Sequence, residues 1–284
     1  MLHPRTIRPF LAALAVTMCL GQAPALADTV IQLKYIRDSN KRPVAQHYLL
    51  LHGKDPALEL PDPVAVLLLF PGGGGALGLQ DDRLSVDAQN FLIRTRHLIA
   101  AEGPFAVAVM DAAPEFQNEA IFPGGLSGQR TSAAHLEDTR RVIVDLRTRF
   151  PGKKIWLVGN DRGTISAANA AAELPIGQGA HGLVLTSPVT VKQPARGALD
   201  DVRLGAIRVP TLILTHRSDK CPVTPPKNAR GLKKKLTGTK QIKLMAMKGG
   251  SLRISKACMA LGPHGFFGIE QKTIRTIGEF ITRF

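Results

Sequence analysis

Seven consecutive apolar residues, Val64–Phe70 (VAVLLLF), stop at Pro71 and four glycines, Gly72–Gly75. The run is short and bounded by breakers, and it has no polar alternate positions. It therefore reads as a strand buried on both faces, not as one side of a half-wet sheet. Such a strand requires helices above and below it. Further short apolar runs repeat the theme: Phe105–Met110, Lys154–Val158, Gly182–Leu185, Thr211–Leu214 and Ile242–Met247. Between them lie stretches of helical period. Leu136, Ile143, Leu146 and Phe150 share one face of a helix from about Ser132, stopped at Pro151-Gly152.

Thr164–Leu174 and Ile269–Phe284 also read as helices. So does a segment capped by Ser85, with Val86, Phe91, Ile93, His97 and Leu98 on its apolar face and Gly103-Pro104 at its end. Ahead of these, Val30–Ile36 and Gln46–Leu51 form a hairpin around Asp38-Ser39-Asn40 and Pro43. Strand alternating with helix predicts an α/β chain with a mostly parallel central sheet and helices on both faces. The connection from Thr186 to Pro210 is too short for a sizeable extra domain. A single domain over 28–284 is expected, without a large lid.

The first 27 residues read as an address. Arg5 and Arg8 precede the apolar run Phe10–Leu20, and the segment closes with Ala25-Leu26-Ala27, the marks of a secretory signal peptide cleaved after Ala27. The expectation is a periplasmic or secreted protein. Met18 before Cys19 is not the small residue that a lipoprotein site needs. Two cysteines remain, Cys221 and Cys258, and in an oxidising compartment they read as one disulfide. Neither has a second ligand at finger-type spacing, so no metal is expected, and no cofactor motif is present. An apolar fraction of 44% excludes disorder, and no stretch beyond the N-terminus reaches the roughly 20 apolar residues of a membrane span.

The chemistry points to Trp156-Leu157-Val158-Gly159-Asn160-Asp161-Arg162-Gly163-Thr164, a strand, a G-x-D-x-G turn and a helix start. Small flanking residues let the chain reverse sharply, which lifts the central side chain above the sheet beside a helix N-terminus. Asp219 follows a late strand in Thr215-His216-Arg217-Ser218-Asp219. His264 lies in Gly262-Pro263-His264-Gly265, ahead of the last helix.

In this order and context the sequence resembles the α/β-hydrolase family over nearly all of the mature chain, and is most similar to exported, lidless members. The resemblance implies the α/β-hydrolase fold and a centre of Asp161, Asp219 and His264, with Asp161 where the family usually carries serine. It also implies an oxyanion hole from the glycine loop, Gly73 or Gly74, and the Arg162 N–H. A Cys221–Cys258 bridge would tie the acid loop to the segment leading into His264.

The G-x-D-x-G turn also resembles haloalkane dehalogenases and epoxide hydrolases, where the Asp attacks a saturated carbon and a His-activated water hydrolyses the resulting ester. The leaving-group aids of those enzymes are not matched. Arg162 follows the Asp, the single Trp156 lies within a strand, and Tyr35 and Tyr48 lie in the hairpin. An Arg after the Asp resembles haloacetate dehalogenases, whose second Arg corresponds here to Ile165. Attack by Asp161 on an ordinary ester would give an anhydride, which is awkward, and two carboxylates beside one imidazole favour its charged form.

Two readings follow: a hydrolase acting on a small-molecule substrate, or a catalytically degenerate ligand-binding protein of the same fold. Simpler roles stand beside them. Asp161 could be a helix cap, His264 a loop histidine, Asp219 a turn residue with Asp111 as rival acid, and Gly72–Gly75 a turn. The formal charge of +15 and the basic run Lys227, Arg230, Lys233, Lys234, Lys235, Lys240 and Lys243 come without a nucleic-acid motif. No specific nucleic-acid partner is expected, and a solvated helix face or weak attachment to anionic envelope surfaces is the reading.

Overall fold

The computed structural model describes residues 28–51, 62–79, 84, 89–118, 120–121, 124–251 and 256–284. The expected signal peptide, its cleavage point after Ala27 and the Ser85 cap with Val86 lie outside them. The strands are β1 (Asp28–Ile36), β2 (Pro43–Leu51), β3 (Ala65–Phe70), β4 (Phe105–Met110), β5 (Lys154–Asn160), β6 (Gly182–Thr186), β7 (Thr211–His216) and β8 (Ile242–Met247). They form one sheet in the order β1-β2-β4-β3-β5-β6-β7-β8. The β1–β2 hairpin and its junction with β4 are antiparallel, and every other pairing is parallel.

The helices are α1 (Phe91–Arg94), α2 (Arg96–Glu102), α3 (Ala133–Arg149), α4 (Gly163–Glu173), α5 (Ala229–Lys235) and α6 (Glu270–Arg283). All six residues of β3 are buried, and alternation divides them between two cores. Val66, Leu68 and Phe70 pack with Ile143 and Leu146 of α3, Ile165 and Ala168 of α4 and Leu232 of α5. Leu67 and Leu69 pack with Phe91 of α1, Ile99 of α2 and Ile277 and Phe280 of α6. Trp156 is fully buried in the second core, edge-on to Phe280 with ring centroids 5.8 Å apart.

The expected single helix before Gly103 is instead two short ones, α1 and α2, broken at Thr95, whose hydroxyl donates back to the Phe91 carbonyl. The break turns the second segment, so Ile99 and Ala100 enter the core while His97 and Leu98 face solvent. The α3 helix is as expected, with Ser132 as its cap accepting from the His135 N–H at 3.2 Å. An unforeseen buried network pins the hairpin to α3. Arg37 is fully buried and donates through Nε to Asp138 at 2.7 Å, and Tyr35 donates to the same carboxylate at 2.6 Å. The basic run extends from the turn before α5, through α5 and the following loop, into β8, with its side chains exposed and Lys235 paired with Asp200.

Candidate active site

Because the six strands β3 to β8 run parallel, the loops at their C-terminal ends gather on one side of the sheet, where ligands of open α/β folds bind. β5 ends at Asn160 and α4 starts at Gly163, which leaves two residues to reverse the chain. Asp161 takes the left-handed conformation, φ +49°, at a cost of about 1–3 kcal/mol for a residue other than glycine. Its N–H donates to the Thr186 carbonyl at 3.0 Å, and its own carbonyl accepts from the Thr164 N–H at 3.0 Å. The helix start is pressed so closely against β3 that a Cβ on Gly163 would sit 1.9 Å from the Phe70 carbonyl oxygen. These contacts leave the Asp161 side chain free of the helix, so it is no cap.

The Asp161 carboxylate spans two groups instead. Oδ2 accepts from the Gly73 N–H at 3.2 Å, and Oδ1 lies 3.7 Å from Nε2 of His264, an ion-pair contact longer than a hydrogen bond. Close approach of the glycine loop is essential here, since a Cβ on Gly72 would come within 2.8 Å of Oδ2. The Asp161 side chain is 18% exposed and so open to solvent.

His264 sits in the short turn Pro263–Gly265 and is buried. Its carbonyl is held by the Ser187 hydroxyl at 2.7 Å. Nδ1 lies 3.1 Å from Asp219 Oδ2 and 3.2 Å from Thr224 Oγ1. Asp219 is oriented in turn by the Cys221 N–H on Oδ1 and the Thr224 hydroxyl on Oδ2, both at 2.9 Å. Cys221 and Cys258 are disulfide-bonded, which joins the acid loop to the segment ahead of His264. Burial by itself lowers the imidazole's pKa. The Asp219 hydrogen bond and the charges of Asp161 and Asp219 outweigh it and hold His264 above its ordinary value. The two acidic side chains thus favour the charged form of the imidazole.

The remaining candidates divide. Gly73 N–H meets the Asp161 carboxylate, while the N–H groups of Gly74 and Arg162 have no acceptor among the described residues. The Arg162 side chain is buried and donates to the Arg196 carbonyl at 3.2 Å and to Gln193 Oε1, which removes it as a free grip for a substrate carboxylate. Asp111 is not a rival acid. Its carboxylate accepts from Leu77 N–H at 2.6 Å and Leu79 N–H at 3.0 Å and fastens the chain after the glycine loop, with burial pushing it up to about 6.

Tyr48 and Tyr35 are committed to Asp145 and Asp138 on α3. Thr224, Ser187 and Arg130 carry no sequence signal. Each is a common residue in a loop, and only the fold brings it to the site. Among the described residues there is no cluster of three or more His, Cys, Asp or Glu suited to a metal ion. No helix among them is long and apolar enough to cross a membrane.

No family model matches the chain, and no curated protein matches it. Solved structures do. A cold-adapted esterase from an Arctic intertidal metagenomic library superposes with a TM-score of 0.54 at 14% identity, over 88% of this chain and 93% of that one. A lidless α/β serine hydrolase from Xanthomonas campestris gives 0.53 at 13%, over 89% and 97%. An α/β serine hydrolase homologue from Coxiella burnetii gives 0.53 at 13%, over 89% and 96%. At such identities the likeness is one of architecture, and with the sheet order and helix layers described above it establishes that this chain has the α/β-hydrolase fold.

Proposed function

We propose that the chain is an exported hydrolase acting on a small-molecule substrate through Asp161, His264 and Asp219. The observation that carries this is the double engagement of the Asp161 carboxylate, with Gly73 N–H at 3.2 Å on one oxygen and His264 Nε2 at 3.7 Å from the other, while His264 Nδ1 faces Asp219. A carboxylate so placed suits attack on an electrophilic saturated carbon bearing an anionic leaving group. Oδ1 forms the new O–C bond and the leaving group departs with its electron pair, which makes an alkyl ester of Asp161.

Esterification removes one of the two negative charges that hold His264 protonated. Its proton affinity then drops, the Nε2 proton passes to the departed leaving group, and the neutral Nε2 can take a proton from water. The resulting hydroxide adds to Asp161 Cγ. The charge that develops on Oδ2 meets the Gly73 N–H already in place, with Gly74 and Arg162 N–H as further donors. Collapse releases an alcohol, which takes its proton from His264, and the acid proton left on Asp161 passes to Nε2, which restores both the carboxylate and the imidazolium. The net change is substrate plus water to alcohol plus the protonated leaving group.

The test is intact-protein mass spectrometry of His264→Gln after exposure to small halogenated acids, alkyl halides, epoxides and activated esters, with Asp161→Asn in the same background as control. An adduct on the first variant and none on the second is the expected result. Absence of both adduct and wild-type turnover across the panel counts against a hydrolase. A second reading, a ligand-binding protein that has lost turnover, is favoured by one observation: Asp161 itself occupies the Gly73 donor. In that case ligands raise the melting temperature of wild type and Asp161→Asn alike, and Asp161→Ser shows weak esterase activity if the rest of the site is sound. Export rests on the leader-like residues 1–27, and N-terminal sequencing of the exported protein should begin at Asp28. The exposed basic face of α5 and β8 offers weak, salt-sensitive attachment to anionic envelope surfaces.

A further inference from the structure

Behind the glycine loop lies a buried cation that the proposed mechanism does not use. Arg130 is 2% exposed and reaches the loop from the segment just ahead of α3. Its Nη2 donates to the carbonyls of Pro71, at 3.2 Å, and Gly73, at 2.9 Å. Nη1 donates to Ser166 Oγ of α4 at 2.9 Å, and Ser166 Oγ lies 2.9 Å from Nε2 of His135 on α3. Three successive peptide planes are thereby held. Arg130 holds the 71–72 and 73–74 planes by their carbonyls, and the Gly75 N–H holds the 72–73 plane through the Gly72 carbonyl at 3.3 Å.

Glycine peptides flip easily because no Cβ opposes the rotation. A flip in this loop would turn a carbonyl toward the Asp161 carboxylate and remove the donor. We infer that Arg130 is the positioning residue of this loop, clamping the Pro71 and Gly73 carbonyls so that the Gly73 N–H stays aimed at Asp161. The value of that donor to turnover rests on the proposed role of Asp161, whereas the clamp itself does not. The surroundings fit a cation kept for position. Arg130 has no carboxylate hydrogen-bonded to it among the described residues, burial lowers its pKa to about 10, and the charge of Asp161 is what opposes that fall. His135, pushed down to about 3 by burial and by Arg130, stays neutral and adds no repulsion at neutral pH.

The experiment reads the Gly73 amide resonance by NMR in wild type, Asp161→Asn, Arg130→Met, Arg130→Lys and the Asp161→Asn/Arg130→Met double variant. Asp161→Asn weakens the hydrogen bond and moves the resonance. Arg130→Met is expected to move it in the same direction, Arg130→Lys to restore part of the wild-type position, and the double variant to add little, as for residues acting through one contact. An unmoved Gly73 resonance in folded Arg130→Met, or shifts that simply add, would overturn the inference. Should Arg130→Met not fold, Arg130→Lys and Ser166→Ala take its place, and a resonance that moves in neither is equally fatal. In the otherwise wild-type chain, Arg130→Met should slow breakdown of the Asp161 ester, the step in which charge develops on Oδ2, on the order of 10²-fold, the effect of losing an oxyanion donor. If no substrate alkylates wild type, the proposed function fails, and the Gly73 resonance still decides the role of Arg130.

Discussion

Replacing Asp161 by Asn tests the electrostatics of the centre most directly. Asn keeps the shape of the carboxylate and imitates the uncharged ester of the proposed intermediate, so the change isolates one charge. Oδ1 lies 3.7 Å from His264 Nε2. Coulomb's law at that distance, with an effective dielectric of about 20, makes the attraction about 4 kcal/mol. Solvent reaches the 18%-exposed Asp161 and screens part of this. Half of the figure, about 2 kcal/mol, corresponds to a fall of about 1.5 in the His264 pKa.

The assay is a 1H–13C titration of the His264 ring, assigned by its disappearance in His264→Gln. A pKa in Asp161→Asn within about 0.3 of wild type would refute the reasoning, because the charge coupling that turns His264 from acid to base would be missing. The same coupling has a stability signature with a definite sign. The folded pKa of His264 lies above its ordinary value. Its stabilisation is therefore complete below about pH 6.5 and is lost as pH rises through the raised value. Denaturant unfolding at about pH 6 and about pH 9 should show that loss in wild type and a smaller one in Asp161→Asn.

Other predictions follow from single contacts. Gly163→Ala should destabilise by about 3 kcal/mol or more and give little folded protein in a thermal melt, since the new methyl would lie 1.9 Å from the Phe70 carbonyl oxygen. Asp161→Gly should melt about 2–4 °C above Asp161→Ala, since both lack the carboxylate and only the alanine keeps about 1 kcal/mol of left-handed strain, and neither should form an adduct. Reduction of Cys221–Cys258, or Cys221→Ser with Cys258→Ser, opens a loop with a sequence separation of 37 and should cost about 3–4 kcal/mol in chemical denaturation. It should also lower turnover, because the Cys221 N–H holds Asp219. Asp138→Asn should cost about 3 kcal/mol by leaving the fully buried Arg37 guanidinium with Glu115 as its remaining counter-charge, as read in the same assay.

The layers of this fold were legible in the sequence because a strand buried on both faces must be apolar throughout. Val64–Phe70 and Phe105–Met110 announce themselves that way, and glycines beside Asp161 mark a bend too tight for side chains. The order Asp161, Asp219, His264 was legible for a related reason: each follows a strand end, and parallel strands bring their ends together. Local sequence holds no information about partners that the chain meets only after folding. Ser187 became a support of His264 and Arg130 a clamp on the glycine loop through contacts spanning tens of residues, and Thr224, five residues from Asp219, meets His264 across 40.

The break at Thr95 was hidden for the opposite reason, since its helical period continues across a side chain that folds back on the Phe91 carbonyl. Tertiary structure alone brought the charges of the centre together. Any chain can carry two aspartates and a histidine, but only packing sets the imidazole between both of them, with a backbone N–H on one, at distances where their charges outweigh its burial.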